Sequence, residues 1–165
     1  MVYSYMTWEE VEKACNNIHK AMIQKNYVPD IIVGLLWGGI VPTRLLVDLM
    51  GHKRLNTHVM YTSLYDGTKK RDNVEIKHQF SKEDLNNKKV LIVDDIWDTG
   101  ETMKAVLQEL LEHNCMVSTA TLVYKNSNSS IAPTFYDKIV ERDDVWTVFP
   151  WEKHEFFREI KKKVI

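Results

Sequence analysis

The stretch from Asp94 to Thr102 brings together acidic and hydroxyl side chains that could do chemistry in this chain. Asp94 and Asp95 are adjacent carboxylates, which suit ribose hydroxyls or a hydrated Mg²⁺. The turn that follows offers backbone N–H groups and two threonine hydroxyls to a phosphate, and consists of Asp98, Thr99, Gly100, Glu101 and Thr102. The loop therefore favours a ligand with a phosphate at one end and a metal-bound, hydroxyl-rich sugar at the other.

Two predicted elements position this loop. The apolar run over 90–93 predicts a strand buried on both faces, and apolar residues recur at helical spacing over 101–114. In open α/β sheets, ligands bind in the crevice outside the carboxyl ends of the strands. The loop thus lies where a binding site is expected.

A second loop follows the strand predicted over 31–35. Its residues Trp37, Gly38 and Gly39 lead into a helix that opens at 40–42 and stops at Gly51. A strand, a glycine turn and a helix N-terminus again make an anion site. Further strands are predicted over 57–63, 116–124 and 144–148, helices after the capping box at 7–10 and over 152–163, and a solvated loop over 64–73.

Composition limits the possible functions. The chain has 165 residues, enough for one domain, and a net charge of −1, which gives no reason to expect a nucleic-acid or membrane partner. No apolar run is long enough to span a bilayer, and we expect no signal peptide. Cys15 and Cys115 are predicted to be free thiols in a reducing, cytoplasmic compartment. A Cys–His metal site is not expected, because no CxxC or HxxxH spacing occurs.

The residues from Val90 to Thr102, V-L-I-V-D-D-I-W-D-T-G-E-T, closely resemble the phosphoribosyl-pyrophosphate (PRPP) loop of the type I phosphoribosyltransferases. Every fixed position of that pattern matches. The resemblance implies an α/β fold with a central parallel sheet of about five strands, flanked by helices, and a small hood. It implies a single domain over 1–165, with a core at about 28–125 and a hood built from the N-terminal segment and about 126–165. Homodimers or homotetramers are usual in the family.

The resemblance also implies roles for the loop residues. Asp94 and Asp95 would hold the ribose hydroxyls directly or through Mg²⁺, with Asp95 the first choice near the metal. Asp98 would be the general base. The 5′-phosphate would be bound by Thr99, Gly100, Glu101 and Thr102, with the Glu101 side chain pointing away.

Pyrophosphate would face Trp37, Gly38 and Gly39, together with Arg71 in a mobile loop that closes over the site. The family usually has Arg or Lys where this chain has Trp37, so one cation is missing. Lys53, Arg54 or the mobile loop would then compensate for the missing charge.

A purine end is implied by the segment V-W-T-V-F-P-W-E, which resembles the C-terminal strand of the xanthine-guanine-type members. Trp146 would stack on the base, the backbone of Thr147 would contact its edge, and Lys125 would donate to its O6 atom. The implied reaction is transfer of 5-phosphoribose from PRPP to hypoxanthine, guanine or xanthine, which releases pyrophosphate. Two alternatives remain open: an enzyme for adenine or orotate, and a PRPP- or nucleotide-sensing regulator with little turnover.

Overall fold

Eight strands and five helices make up the computed structural model, which describes residues 2–51, 56–66, 69–78, 80–127, 129 and 131–164. Side chains are described in these ranges except at 64–66, 69–74, 82 and 161–164. The strands are β1 (Val2–Tyr5), β2 (Ile31–Leu36), β3 (Asn56–Asp66), β4 (Lys69–Lys77), β5 (Lys89–Trp97), β6 (Met116–Lys125), β7 (Phe135–Val140) and β8 (Val145–Val148). The helices are α1 (Trp8–Gln24), α2 (Ile40–Met50), α3 (Lys82–Leu85), α4 (Glu101–Leu111) and α5 (Lys153–Val164).

Six of the strands form the central sheet, in the order β4-β3-β2-β5-β6-β7. Neighbours from β3 to β7 pair in parallel, and β4 adds one antiparallel strand at the edge. The predicted α/β fold with about five parallel strands is therefore confirmed. Because those strands are parallel, the loops that follow β2, β5 and β6 meet at one edge of the sheet.

The central strand β5 is buried on both faces, as its apolar sequence predicts. Leu91 and Val93 pack into one core cluster with α1 and α2, whereas Val90 and Ile92 pack into a second cluster with α4. The alternation follows from the two-residue period of a strand. Helices thus cover both faces of the sheet and hold the ends of β2 and β5 in place.

The backbone over 64–73 differs from the solvated loop predicted from its polar sequence. β3 continues to Asp66, and β4, which begins at Lys69, pairs antiparallel with it. The prediction was wrong because an edge pair of strands is held by backbone hydrogen bonds and does not require an apolar face. Residues 67 and 68 lie outside the described ranges.

The two ends of the chain meet in a second, two-stranded sheet, in which β1 pairs in parallel with β8. The division into a core and a hood stays a prediction. β7, which falls in the segment predicted for the hood, pairs with β6 at the edge of the central sheet. No helix within the described ranges is long and apolar enough to cross a membrane.

Candidate active site

The acidic loop and the glycine loop touch at the carboxyl edge of β2 and β5. A Cβ atom added to Gly38 would lie 2.2 Å from the Oδ2 atom of Asp95, so only glycine lets the backbone come this close. The peptide bond between Leu36 and Trp37 is cis. The structure therefore brings together two stretches that are more than fifty residues apart in the sequence.

Three carboxyl groups gather beneath these loops. Burial raises the pKa of Asp94 well above its ordinary value, and the neighbouring charge of Asp95 adds to the effect. Burial and the charge of Glu152 raise the pKa of Asp95 to about 7. Burial also raises the pKa of Glu152, whose Oε2 atom accepts a hydrogen bond of 3.3 Å from the backbone N–H of Phe149.

This carboxylate cluster fits a divalent cation. Asp95 is only 5% exposed, and within the described part of the chain neither Asp94 nor Asp95 forms a salt bridge. Trp151 acts in the opposite direction and lowers the pKa of Asp95. The buried Nε1 atom of Trp151 has no hydrogen bond within the described residues. Hard oxygen ligands with unbalanced negative charge are the donor set that Mg²⁺ prefers.

The turn between β5 and α4 lines a pocket of about 350 Å³. Gly100, with φ of 77°, precedes the first residue of α4, and the Thr99 hydroxyl accepts a hydrogen bond of 3.3 Å from the Glu101 N–H. The pocket is lined by residues predicted from the sequence, Asp94, Asp98, Thr99, Gly100, Glu101, Thr102 and Trp146, and also by Ile96, Trp97 and Met103.

A partly buried ion pair joins Lys125 to Asp98, which lines the pocket. The Nζ atom of Lys125 lies 2.9 Å from the Oδ2 atom of Asp98, and Lys125 is 4% exposed whereas the Asp98 side chain is 39% exposed. A lysine at a strand end is ordinarily solvated, so its burial needs the carboxylate as partner. Trp146 is 49% exposed, and the adjacent Thr147 is 8% exposed.

For the remaining predicted residues, the structure gives only an exposure or a backbone contact, or does not describe the side chain. Trp37 is 75% exposed, and Gly39 packs against the backbone of β5 next to Val93. The side chain of Arg71 and the residues Lys53 and Arg54 lie outside the described parts of the structure. The roles of all these residues in binding or catalysis stay predictions.

Several residues at the site were not predicted from the sequence. Trp97, at a variable position of the PRPP pattern, donates a hydrogen bond of 2.9 Å from its indole N–H to the Ser129 hydroxyl. Glu152 joins the carboxylate cluster from a turn far along the chain. The only available signal was the Trp-Glu pair that ends the segment V-W-T-V-F-P-W-E.

The comparison with family models is decisive. The model of the phosphoribosyl transferase domain matches residues 2–154. The chain belongs to this family. The predicted resemblance is thereby confirmed, and the protein is an enzyme of the phosphoribosyltransferase class.

Individual relatives agree with this family. The chain is 26% identical to a xanthine-guanine phosphoribosyltransferase of Idiomarina loihiensis, over 94% of this chain and 90% of the relative. It resembles the crystal structure of a purine phosphoribosyltransferase from Pyrococcus horikoshii, with a TM-score of 0.75, 28% identity and coverage of 92% and 94% of the two chains. A Helicobacter pylori xanthine-guanine-hypoxanthine phosphoribosyltransferase shares the fold with a TM-score of 0.77 at 23% identity, over 95% and 99% of the chains.

Proposed function

We propose that this phosphoribosyltransferase transfers 5-phosphoribose from PRPP to a 6-oxopurine, namely hypoxanthine, guanine or xanthine, and releases pyrophosphate. The observation that carries the proposal is the ion pair of Lys125 and Asp98 at the end of the pocket that Trp146 lines. It sets a cationic donor beside an anionic acceptor, 2.9 Å apart.

That arrangement matches one edge of a 6-oxopurine. Such a base presents the O6 acceptor beside N7. In the free-base tautomer that attacks through N9, N7 carries the proton that is lost on transfer. Lys125 would donate to O6 while Asp98 accepts the N7 proton. Adenine carries an amino donor at the O6 position, which would oppose a lysine ammonium. Trp146 supplies an exposed aromatic face on which the base would stack.

In the proposed reaction, N9 of the base forms a bond to the anomeric carbon of PRPP as the bond from that carbon to pyrophosphate breaks. Asp98 holds the proton released by the base and acts as the general base. The Thr99–Thr102 turn would hold the 5′-phosphate, mostly through backbone N–H groups. Trp37, Gly38, Gly39 and Arg71 would face pyrophosphate. Alignment of the two substrates is the main contribution of the protein.

Mg²⁺ is the cofactor that the carboxylate cluster would hold, through Asp95 and Asp94. When bound, the ion neutralises the pyrophosphate leaving group. Glu152 would add negative charge from behind the pair. A cytoplasmic location and a homodimer or homotetramer stay predictions.

The test is a spectrophotometric assay with PRPP and Mg²⁺ against hypoxanthine, guanine, xanthine, adenine and orotate in parallel. Turnover restricted to one or more of the three 6-oxopurines is expected. Turnover with adenine or orotate instead would overturn the proposed base specificity. Binding of PRPP without turnover of any of these bases would favour a regulator, and would direct attention to the missing cation at Trp37.

A further inference from the structure

A cluster of two histidines and a glutamate lies at the end of α4 that is remote from the PRPP loop. His78 follows β4, Glu109 is in the last turn of α4, and His113 is in the turn after it. One ligand atom from each of the three side chains lies within 4.8 Å of the others. The Nε2 atom of His78 is 3.3 Å from the Oε1 atom of Glu109.

The two imidazole rings are held in place but are not fully satisfied. His78 stacks on Phe80 at 4.0 Å between ring centroids, and Phe80 also meets the edge of His113. The Nδ1 atoms of both histidines are buried and have no hydrogen-bond partner in the described structure. Buried polar atoms without partners are uncommon, because burial removes their hydrogen bonds to water.

We propose that His78, Glu109 and His113 form a binding site for a divalent transition metal ion of the zinc type. In a tetrahedral site with metal–ligand bonds of about 2.0–2.1 Å, neighbouring ligand atoms are roughly 3.3–3.4 Å apart. The His78–Glu109 distance of 3.3 Å already has that length. Imidazole ligands favour zinc-type ions over Mg²⁺.

The exposure of the three side chains leaves a route for the ion. His113 is 7% exposed, whereas the side chains of His78 and Glu109 are 18% and 40% exposed. The ion would therefore enter past Glu109 and keep one coordination position open to water, as three-ligand zinc sites do.

This site is separate from the carboxylate cluster of the candidate active site. α4 begins beside the PRPP loop, and at 1.5 Å per residue Glu109 lies roughly 12 Å farther along the helix axis, with His113 in the turn beyond the end of the helix. A bound ion would join the end of β4 to the end of α4. It would therefore stabilise the fold without contacting PRPP.

Sequence spacing alone does not reveal this site. The lack of CxxC and HxxxH spacings led us to expect no Cys–His metal site, whereas the proposed cluster consists of two histidines and a glutamate. His78 comes from a different element, and the local signal is the four-residue spacing between Glu109 and His113, which is typical of side chains on one helix face although His113 lies in the turn after α4. The tertiary packing of β4 against α4 supplies the third ligand.

The experiment is a titration of the full, tag-free chain with Co²⁺ in excess Mg²⁺, followed by visible absorption. Saturation at one equivalent is expected, with the intense d–d bands of a low-coordinate site, and Zn²⁺ should displace the Co²⁺. Glu109→Gln should weaken Co²⁺ binding at least tenfold. The matched control is Glu112→Gln, which alters an exposed carboxylate in the adjoining turn and should bind Co²⁺ as the wild type does.

A second measurement on the wild type does not depend on the folding of any variant. On addition of one equivalent of Zn²⁺, the NMR signals of two of the six histidine side chains in the chain should shift. The melting temperature should rise by several degrees, because the ion binds only the folded state. An absence of d–d bands in the wild type, equal binding by Glu109→Gln, or Zn²⁺ shifts confined to other histidines would each overturn the proposal.

Discussion

Lys125 and Asp98 are joined by a hydrogen bond of 2.9 Å, although each was predicted to contact the base independently. The pair gives Lys125, at 4% exposure, the hydrogen-bonded partner that a buried charged group requires. It also means that an incoming base must take over part of each side chain's hydrogen bonding. The two residues are therefore expected to respond differently to substitution.

We expect Asp98→Asn to lower kcat at least tenfold and to change PRPP affinity little. The amide has a similar size but cannot take up the proton that the base releases. Steady-state kinetics with varied PRPP and varied base would measure both effects. A variant with wild-type kcat would rule out the general-base role.

Lys125→Ala should raise the KM for guanine or hypoxanthine at least tenfold and leave the PRPP dissociation constant within about threefold. The reason is that the ammonium would contact the base and not PRPP. Lys138→Ala, which removes an exposed lysine from the neighbouring strand β7, is the control and should behave as the wild type. Equal losses for base and PRPP would instead assign Lys125 a structural role.

At the scale of elements, the carboxyl end of β5 lowers the stability of the folded protein, because it buries carboxyl groups that can ionise. It carries two carboxyl groups whose pKa values are raised, chiefly by burial, with a further contribution from the charge of Asp95 for Asp94 and from that of Glu152 for Asp95. A carboxyl whose pKa is higher in the folded state binds its proton more tightly there than in the unfolded chain. The folded protein therefore loses stability as pH rises from about 4, the unfolded value, towards the folded value.

We expect Asp95→Asn to raise the melting temperature in EDTA at pH 8 by several degrees. The pKa of Asp95 is about 7 in the folded protein and about 4 in the unfolded chain, so its ionisation above pH 7 costs the folded state on the order of 4 kcal/mol. The gain should shrink at pH 5, where Asp95 is already mostly protonated. Differential scanning fluorimetry at both pH values would measure the change in melting temperature. Asp143→Asn, at an exposed position, is the control.

The contact between the two loops makes a separate prediction. Gly38→Ala should weaken PRPP binding at least tenfold, because the added methyl group would displace the Asp95 carboxylate, whose Oδ2 lies 2.2 Å from it. Isothermal titration calorimetry with PRPP and Mg²⁺ would measure the loss.

The matched control is Gly51→Ala, where a Cβ atom meets nothing within 4 Å but φ is 65°. This variant should lose about 1–2 kcal/mol of stability through the left-handed backbone and still bind PRPP normally. Normal PRPP binding by Gly38→Ala would show that the close approach to Asp95 has no functional role.

At the scale of the whole molecule, the two ends of the chain meet at the side of the pocket that Trp146 lines. β8 carries Trp146 and Thr147, and its partner in the two-stranded sheet is β1, with Tyr3 opposite Trp146. The backbone N–H of Met6 continues the contact through a hydrogen bond of 3.0 Å to Val148. The N-terminus is thus placed to influence recognition of the base.

A chain that starts at Met6 should therefore show a KM for the purine raised at least fivefold, with the KM for PRPP within about twofold. Removing β1 deprives β8 of the only strand with which it pairs among the described residues. The PRPP loop, between β5 and α4, keeps its packing. Kinetics for both substrates would measure this. A parallel loss for PRPP would mean that the truncation disturbs the whole fold.

Local patterns in the sequence predicted much of this arrangement. The apolar run of β5, the capping box of α1 and the turn at Gly100 are local features, and each was found where it was expected. The edge strands were harder to predict. β1 and β7 are short and largely exposed, so they lack a continuous apolar signal, and β4 is polar yet paired.

The sequence by itself determined the fold family and the PRPP loop, because both depend on neighbouring residues whose order is enough to specify a strand, a turn and a helix cap. Only the tertiary structure decided which distant side chains share a site. It brought Gly38 against Asp95, Glu152 beneath the acidic pair, Lys125 onto Asp98, and His78 beside Glu109 and His113. These contacts depend on strand order and helix packing, which arise from burial summed over the whole core rather than from any local spacing.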